Sequence, residues 1–429
     1  MGNESEEDGG DVVIALAPNV QGTASTTMLD DEPPYGWVVC MSLHFINAFT
    51  WGVIASFGVY LSYYISHETF SGTTALEFTF VGGANFVGAM LCTPGVNLCI
   101  RYFGTHVPMY IGCVLFAGGF VAASFAVEFW QLVLSQGVLV GLGTGFVWLP
   151  ATPLLPQWFN RNRSLAQGLA AAGSGIGGIT WSFTIVPMIE NMSLAWSLRI
   201  IGLVSFVVLL VATFLIRDRN EKIRPKIKAV DFGLLERVNV WLLIGYTFFS
   251  ILGYIVFIYT LSAFGLSLGL TQSQAGIITG MLNVGTAIGR PFVGVISDHY
   301  GRITTAGILT ASNCVMAFAI WIPTDSYGVL IFLGLVSGAT SGIYWGTIAP
   351  LTAEVVDLTE LPSGLGIMWL AVSMPSLFSE AIALEIRQPG TSRPYLWPQI
   401  YTGLSYLAAS LLLLVLRKRK WAWRRERHR

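Results

Sequence analysis

Twelve runs of apolar residues, each long enough to cross a lipid bilayer, limit what this chain of 429 residues can fold into. A hydrocarbon core about 30 Å thick needs roughly 20 apolar residues at ~1.5 Å of helical rise each. The runs fall near 36–62, 75–98, 107–127, 130–153, 165–189, 197–216, 240–264, 274–296, 303–322, 328–350, 363–385 and 398–416. Only 11% of the residues are charged, less than half of the roughly 25% typical of a soluble domain. That shortage excludes a water-exposed globular surface and suits a surface solvated by lipid.

The charges that exist divide the chain. Residues 1–34 hold eight acids and no Lys or Arg, and are expected to form a disordered acidic tail with no cleavable signal. Spans within 35–216 are expected to form one six-helix bundle and those within 239–416 a second, joined by a basic linker at 217–238. A basic tail follows at 417–429. With both termini on the cytosolic side, the cytosolic segments hold 19 of the 23 Lys and Arg. The outer loops hold Arg199, Arg387 and Arg393, and Arg290 alone lies inside a span. The positive-inside rule therefore sets the orientation. Asn191-Met192-Ser193 fits a glycosylation acceptor on the outer side, though very close to the membrane. The five cysteines show no metal-like spacing and read as small packing residues.

The two halves share a pattern at a single offset. Shifted by 197 residues, Pro94 meets Pro291 and Gly104 meets Gly301. Gly137, Gly141, Gly145 and Trp148 then meet Gly334, Gly338, Gly342 and Trp345. Glycines four apart line one helical face and admit a neighbouring backbone. The expected fold is thus all-α and integral to the membrane, with twelve transmembrane helices in two parallel six-helix repeats. Such repeats characterise the major facilitator fold, whose solute site lies between the halves near the midplane.

Three segments carry a family resemblance. Gly294-Val295-Ile296-Ser297-Asp298-His299-Tyr300-Gly301-Arg302 resembles the major facilitator loop signature G-x-x-x-D-R/K-x-G-R, departing only at His299. The first-half copy reads Arg101-Tyr102-Phe103-Gly104 in place of Asp-Arg-x-Gly. Asp31-Glu32-Pro33-Pro34-Tyr35-Gly36-Trp37 resembles the entry to the first span of monocarboxylate porters, with two prolines replacing two glycines. Trp158 to Ala170, with its aromatic pair, basic residues and Leu165-Ala166-Gln167-Gly168-Leu169-Ala170, resembles the same family's loop into the fifth span. Together with the long run from Pro350 to Glu385, the chain looks most like fungal members. The resemblance implies a conformational latch at Asp298, Arg302, Gly294 and Gly301. It also implies a lysine in the first span and an aspartate one turn before the eighth-span arginine. Ala55 and Thr286 stand at those positions here.

Ionisable groups inside a span are functional candidates by default. Arg290 lies eight residues before Asp298, roughly 12 Å deep, where its planar fork suits a carboxylate. His44 is a candidate to shuttle a proton, as histidines do in many proteins, and Glu380 sits near the outer end of the eleventh span. Asn85, Asn47, Asn283 and Asn313 add polar groups, each equally readable as glue between helices. Trp148, Tyr344 and Trp345 are candidates to line a cavity, with packing as the alternative. Gly173-Ser174-Gly175-Ile176-Gly177-Gly178 follows no strand and is no dinucleotide loop, and no Walker lysine motif is present.

The leading expectation is a secondary active transporter of an organic acid or amphiphilic metabolite, in the exporter direction for a secondary metabolite. Proton-coupled uptake of a short monocarboxylate is the alternative. A non-transporting nutrient sensor is a third reading, disfavoured by a tail of 13 residues after the last span. A membrane enzyme would need a cluster of His, Asp or Cys at one face, and the five scattered histidines form none. The expected partners are a small organic solute, protons and lipid, with no nucleic acid, no metal and no cofactor. A monomer in the plasma membrane is the expected form, with a vacuolar or other internal membrane as the alternative.

Overall fold

Lipid offers backbone groups no hydrogen-bond partner, so a spanning segment must satisfy its own. In the computed structural model every regular element among the described residues is accordingly helical. It describes residues 33–67, 69–70, 72–73 and 75–427, with backbone only at 65, 66, 75, 76, 79, 380 and 421–427. Twelve long helices run in order: α1 Tyr35–Tyr64, α2 Phe80–Phe103, α3 His106–Ala123, α4 Phe129–Trp158, α5 Arg163–Asn191, α6 Leu194–Leu215 and α7 Val238–Ser267. Then come α8 Gln272–Tyr300, α9 Arg302–Trp321, α10 Tyr327–Val355, α11 Leu361–Glu385 and α12 Leu396–Lys420. Eleven are long and apolar enough to cross a membrane. The exception, α8, has the length at 29 residues, but Gln272, Gln274, Asn283, Arg290 and Asp298 make it polar.

The 197-residue repeat is a repeat of contacts. A Cβ on Gly137 would lie 3.2 Å from the Val81 carbonyl, and one on Gly334 would lie 2.9 Å from that of Ile278. Gly141 abuts Asn85 as Gly338 abuts Leu282, and Gly88 faces Val138 as Gly285 faces Leu335. All these pairs obey the same offset, so α2 lies against α4 as α8 lies against α10. The two loop glycines match as well: Gly104 and Gly301 end their helices at φ 80° and 96°, a region costly to any residue with a side chain.

The halves meet along two seams. In the first, α5 runs against α8. One face of α5 presents Gly168 to Arg290 and Gly175 to Ala287 and Asn283, while Gly173 and Gly177 on another face meet His44 and Ala48 of α1. The glycine-rich stretch is thus a thin rail gripped from both sides. These close approaches stop at Gly178; beyond it Phe183 is 78% exposed, and Gly276 and Gly280 of α8 face open space. The first seam is therefore shut on the side of the linker and parted on the other.

The second seam lies between α2 and α11, and here the linker joins in. Lys226 N donates to Thr359 O at 2.7 Å, and Lys228 N to Ser363 Oγ at 3.0 Å. Asn97 Nδ2 of α2 donates to the carbonyls of Lys228 and Ala229. Arg237 grips Glu360 with two bonds of 2.6 and 2.9 Å, which hold its guanidinium above its ordinary pKa. The linker also carries a short helix, Asn220–Ile223, and a 3-10 turn, Phe232–Glu236.

Helix continues past 416, where the last apolar run ends, as far as Arg427. Lys and Arg are good helix formers and favour a helix C-terminus, and Lys420 pairs with Glu354 of α10. Arg163 is not a loop charge either. It opens α5, is buried, and donates to the Phe159 and Pro156 carbonyls.

Candidate functional site

Arg290 enters the middle of the molecule because α10 breaks beside it. Helix stops at Ser341 and restarts at Ile343, and a Cβ on Gly342 would lie 3.0 Å from the Arg290 Nη2. The repeat diverges here, since the matching Gly145 faces Cys92 and Ala89. Arg290 is 6% exposed. Its Nη1 donates to the Ala171 carbonyl at 2.7 Å and the Ser174 Oγ at 2.6 Å, both on α5 of the other half. Tyr254 borders the guanidinium, and Nε has no acceptor. No ion pair among the described residues includes Arg290. A buried cation without a carboxylate partner bears an uncompensated desolvation cost.

Next to it stand four tryptophans, two from each half. Trp51 follows a break in α1 at Thr50, where φ is −111° and ψ −80°. Its ring centroid is 5.5 Å from Trp148 and 5.9 Å from Trp345. Trp148 lies 6.3 Å from Trp345 and 4.7 Å from Trp369. Trp345 also lies 6.3 Å from Tyr254, and so links the indoles to Arg290. The Trp148 N–H donates to Asn47 Oδ1 at 3.1 Å, whereas those of Trp51 and Trp369 are buried without an acceptor.

The remaining sequence candidates disperse. His44 Nδ1 lies 2.8 Å from the Leu169 carbonyl and ties α1 to the rail, on the face opposite Arg290. The Thr286 hydroxyl donates to the carbonyls of Leu282 and Gly338 and so faces α10. Asn85 donates to the Gln136 carbonyl inside the first half. Asn313 accepts from Thr340, Asn283 lies near Gly178, and Tyr344 packs 5.3 Å from Trp345. The side chain of Glu380 lies outside the described residues.

At the linker end, Asp298 reaches from α8 to the start of α5. Asn162 supplies no side-chain cap to that helix. Instead the two Asp298 carboxylate oxygens accept from Ser164 N at 2.9 Å and Leu165 N at 2.8 Å. A carboxylate at a helix N-terminus satisfies otherwise unpaired amides and complements the helix dipole. Arg302 donates to the Asn160 carbonyl at 2.7 Å and lies 3.5 Å from Asp298 and 3.6 Å from Glu354. A Cβ on Gly294 would lie 2.5 Å from Ser164 O, so close approach requires glycine there. His299 is exposed and takes no part in these contacts. Two resembling segments also prove to be one structure: Trp37 packs on Phe159 at 4.9 Å, and Tyr35 on Trp158 at 5.7 Å.

Sequence reasoning missed Ala171, Ser174, Tyr254, Trp51, Trp369 and Glu354. Ser174 lies in the glycine-rich stretch set aside as a dinucleotide loop. None of the others stands in a motif or at the repeat offset from a recognised partner, and only the fold brings them together.

Comparison with known proteins agrees with this architecture. Residues 40–422 match the model of the Major Facilitator Superfamily. The probable transporter MCH2 of Saccharomyces cerevisiae is 31% identical over 405 residues, covering 93% of this chain and 86% of that one. The agnestins efflux protein AgnL12 of Paecilomyces divaricatus is 26% identical, covering 94% and 92%. Among solved structures, the proton:xylose symporter XylE superposes with a TM-score of 0.71 at 13% identity, over 90% of this chain and 95% of that one. This chain is an integral, multi-pass membrane transporter, and it belongs to the Major Facilitator Superfamily.

Proposed function

We propose that this transporter carries an organic anion by alternating access, with Arg290 as the anchor for the anionic group. One observation carries this reading: a guanidinium buried at mid-span, bonded to the opposite half, with one donor free and, among the described residues, no carboxylate paired with it. A solute carboxylate that takes the fork would replace the bonds to Ala171 and Ser174, and binding would thereby bear on how the halves meet. Asp298 and Arg302 act as the latch of the state closed on the linker side, which the basic linker and tail make the cytosolic side. The monocarboxylate-porter likeness of Trp158–Ala170 supports an acid as solute, and the named efflux relative supports export.

Sealed vesicles containing the purified chain test it. Labelled organic acids should move faster than in protein-free vesicles, and their neutral methyl esters should gain nothing from the protein. Equal protein-dependent flux of acid and ester would overturn the anion reading.

A further inference from the structure

We infer that the solute class is a planar aromatic carboxylate, its ring held among Trp51, Trp148, Trp345 and Trp369 and its carboxylate at Arg290. This rests on Arg290 as the anion anchor and adds what the rest of the solute must be. Packing explains why indoles are buried, but not why two of four indole donors lack an acceptor. Trp369 is 2% exposed with its N–H unpaired, and the Trp51 N–H is buried and unpaired as well. Native interiors rarely leave such donors unsatisfied. With Arg290 Nε and the Tyr344 hydroxyl, four unpaired donors lie in this one cluster around Trp345.

Each chemical class meets these groups differently. Aromatic cages suit cations, but a guanidinium in the same cluster repels one. A flexible saturated acid would satisfy Arg290 but lose rotor freedom among rigid rings. A flat ring stacks on indole faces at small entropic cost, and its π face, which a saturated skeleton lacks, can accept weakly from the free N–H groups. Trp345 and Trp369 are already parallel to within 10°. Trp51 and Trp345 are the half-buried members, one from each half, so they stand where a solute would enter. Because two rings come from each half, a bound ring touches both halves at once.

Calorimetry on the full chain in detergent, with 2-naphthoate, its saturated counterpart decahydro-2-naphthoate and neutral 2-naphthamide, tests this. The two acids share charge and skeleton and differ in flatness and π-character. Wild type should bind 2-naphthoate at least tenfold more tightly than the saturated acid. Trp345→Leu should abolish that preference, and Trp345→Phe should keep most of it. Arg290→Lys should weaken both acids and leave their ratio intact. Should Trp345→Leu fail to fold, Trp51→Leu poses the same question from the other half. Equal binding of the two acids, binding of neither, or a ratio unmoved by the leucine variants overturns the aromatic inference. Equal binding of 2-naphthoate and 2-naphthamide would instead overturn the anion anchor.

Discussion

The Arg290 guanidinium of α8 donates to the Ala171 carbonyl of α5 at 2.7 Å, so the cation at mid-span crosses from one half of the transporter to the other. Its charge and its cross-half bond separate on substitution. Arg290→Lys keeps the charge and loses the planar fork. It is expected to cut transport of an acid tenfold or more while leaving the amount of folded protein unchanged. Thr286→Asp should place a carboxylate one turn away and raise the acid's apparent KM. An unchanged KM in Thr286→Asp would show that the guanidinium is out of that residue's reach.

Asp298 caps a helix belonging to the other half, so its loss should favour the state open on the linker side. A cap is worth about 1–2 kcal/mol, which is roughly a tenfold change in the balance of two states. Asp298→Asn is expected to lower turnover several-fold at equal membrane abundance. A cysteine placed at Ser164 should gain reactivity in inside-out vesicles when Asp298→Asn is added. Reactivity that stays flat would mean that the cap does not hold the seam.

The repeated glycines should fail alike. A Cβ at Gly141 would lie 2.9 Å from Asn85 Cα, and one at Gly338 would lie 3.0 Å from Leu282 Cα. Gly141→Ala and Gly338→Ala are each expected to destabilise by about 1–3 kcal/mol through overpacking. Gly276→Ala and Gly280→Ala face open space and should not. Thermal unfolding in detergent compares the four.

Orientation has a direct check in intact cells, with the five native cysteines replaced. Lys222→Cys in the linker, and Gly9→Cys outside the described residues, should resist a membrane-impermeant thiol reagent, while Arg393→Cys should react. Labelling at Lys222→Cys would reverse the assignment of sides.

The architecture was legible because its causes are local. Span length and the spacing of Gly137, Gly141 and Gly145 are written into consecutive residues, and Arg290 is conspicuous as a charge among apolar neighbours. The tryptophan cluster was not legible, because Trp51, Trp148, Trp345 and Trp369 come from four helices in two halves. Of these, only Trp148 and Trp345 share the 197-residue register. Nor does any sequence pattern announce that Asp298 would cap α5, since 133 residues separate it from Leu165. His44 shows the reverse difficulty: a titratable residue at a plausible depth whose Nδ1 is occupied by a backbone carbonyl.

The stitching of Lys226, Lys228 and Arg237 onto the α2–α11 seam makes the two sides of the molecule mechanically unlike. Where α8 offers Asp298, the first-half copy offers Arg101, and a segment of connecting chain takes over the closing role. A connector that only tethered the halves could be lengthened or cut without effect. Here, a flexible insertion after Arg224 lies outside the stitched residues and should be tolerated, whereas the same insertion after Ala229 should loosen one seam and spare the other. A nick at that second point would leave a carrier with one edge buttoned and one edge free, twisting where the intact protein rocks.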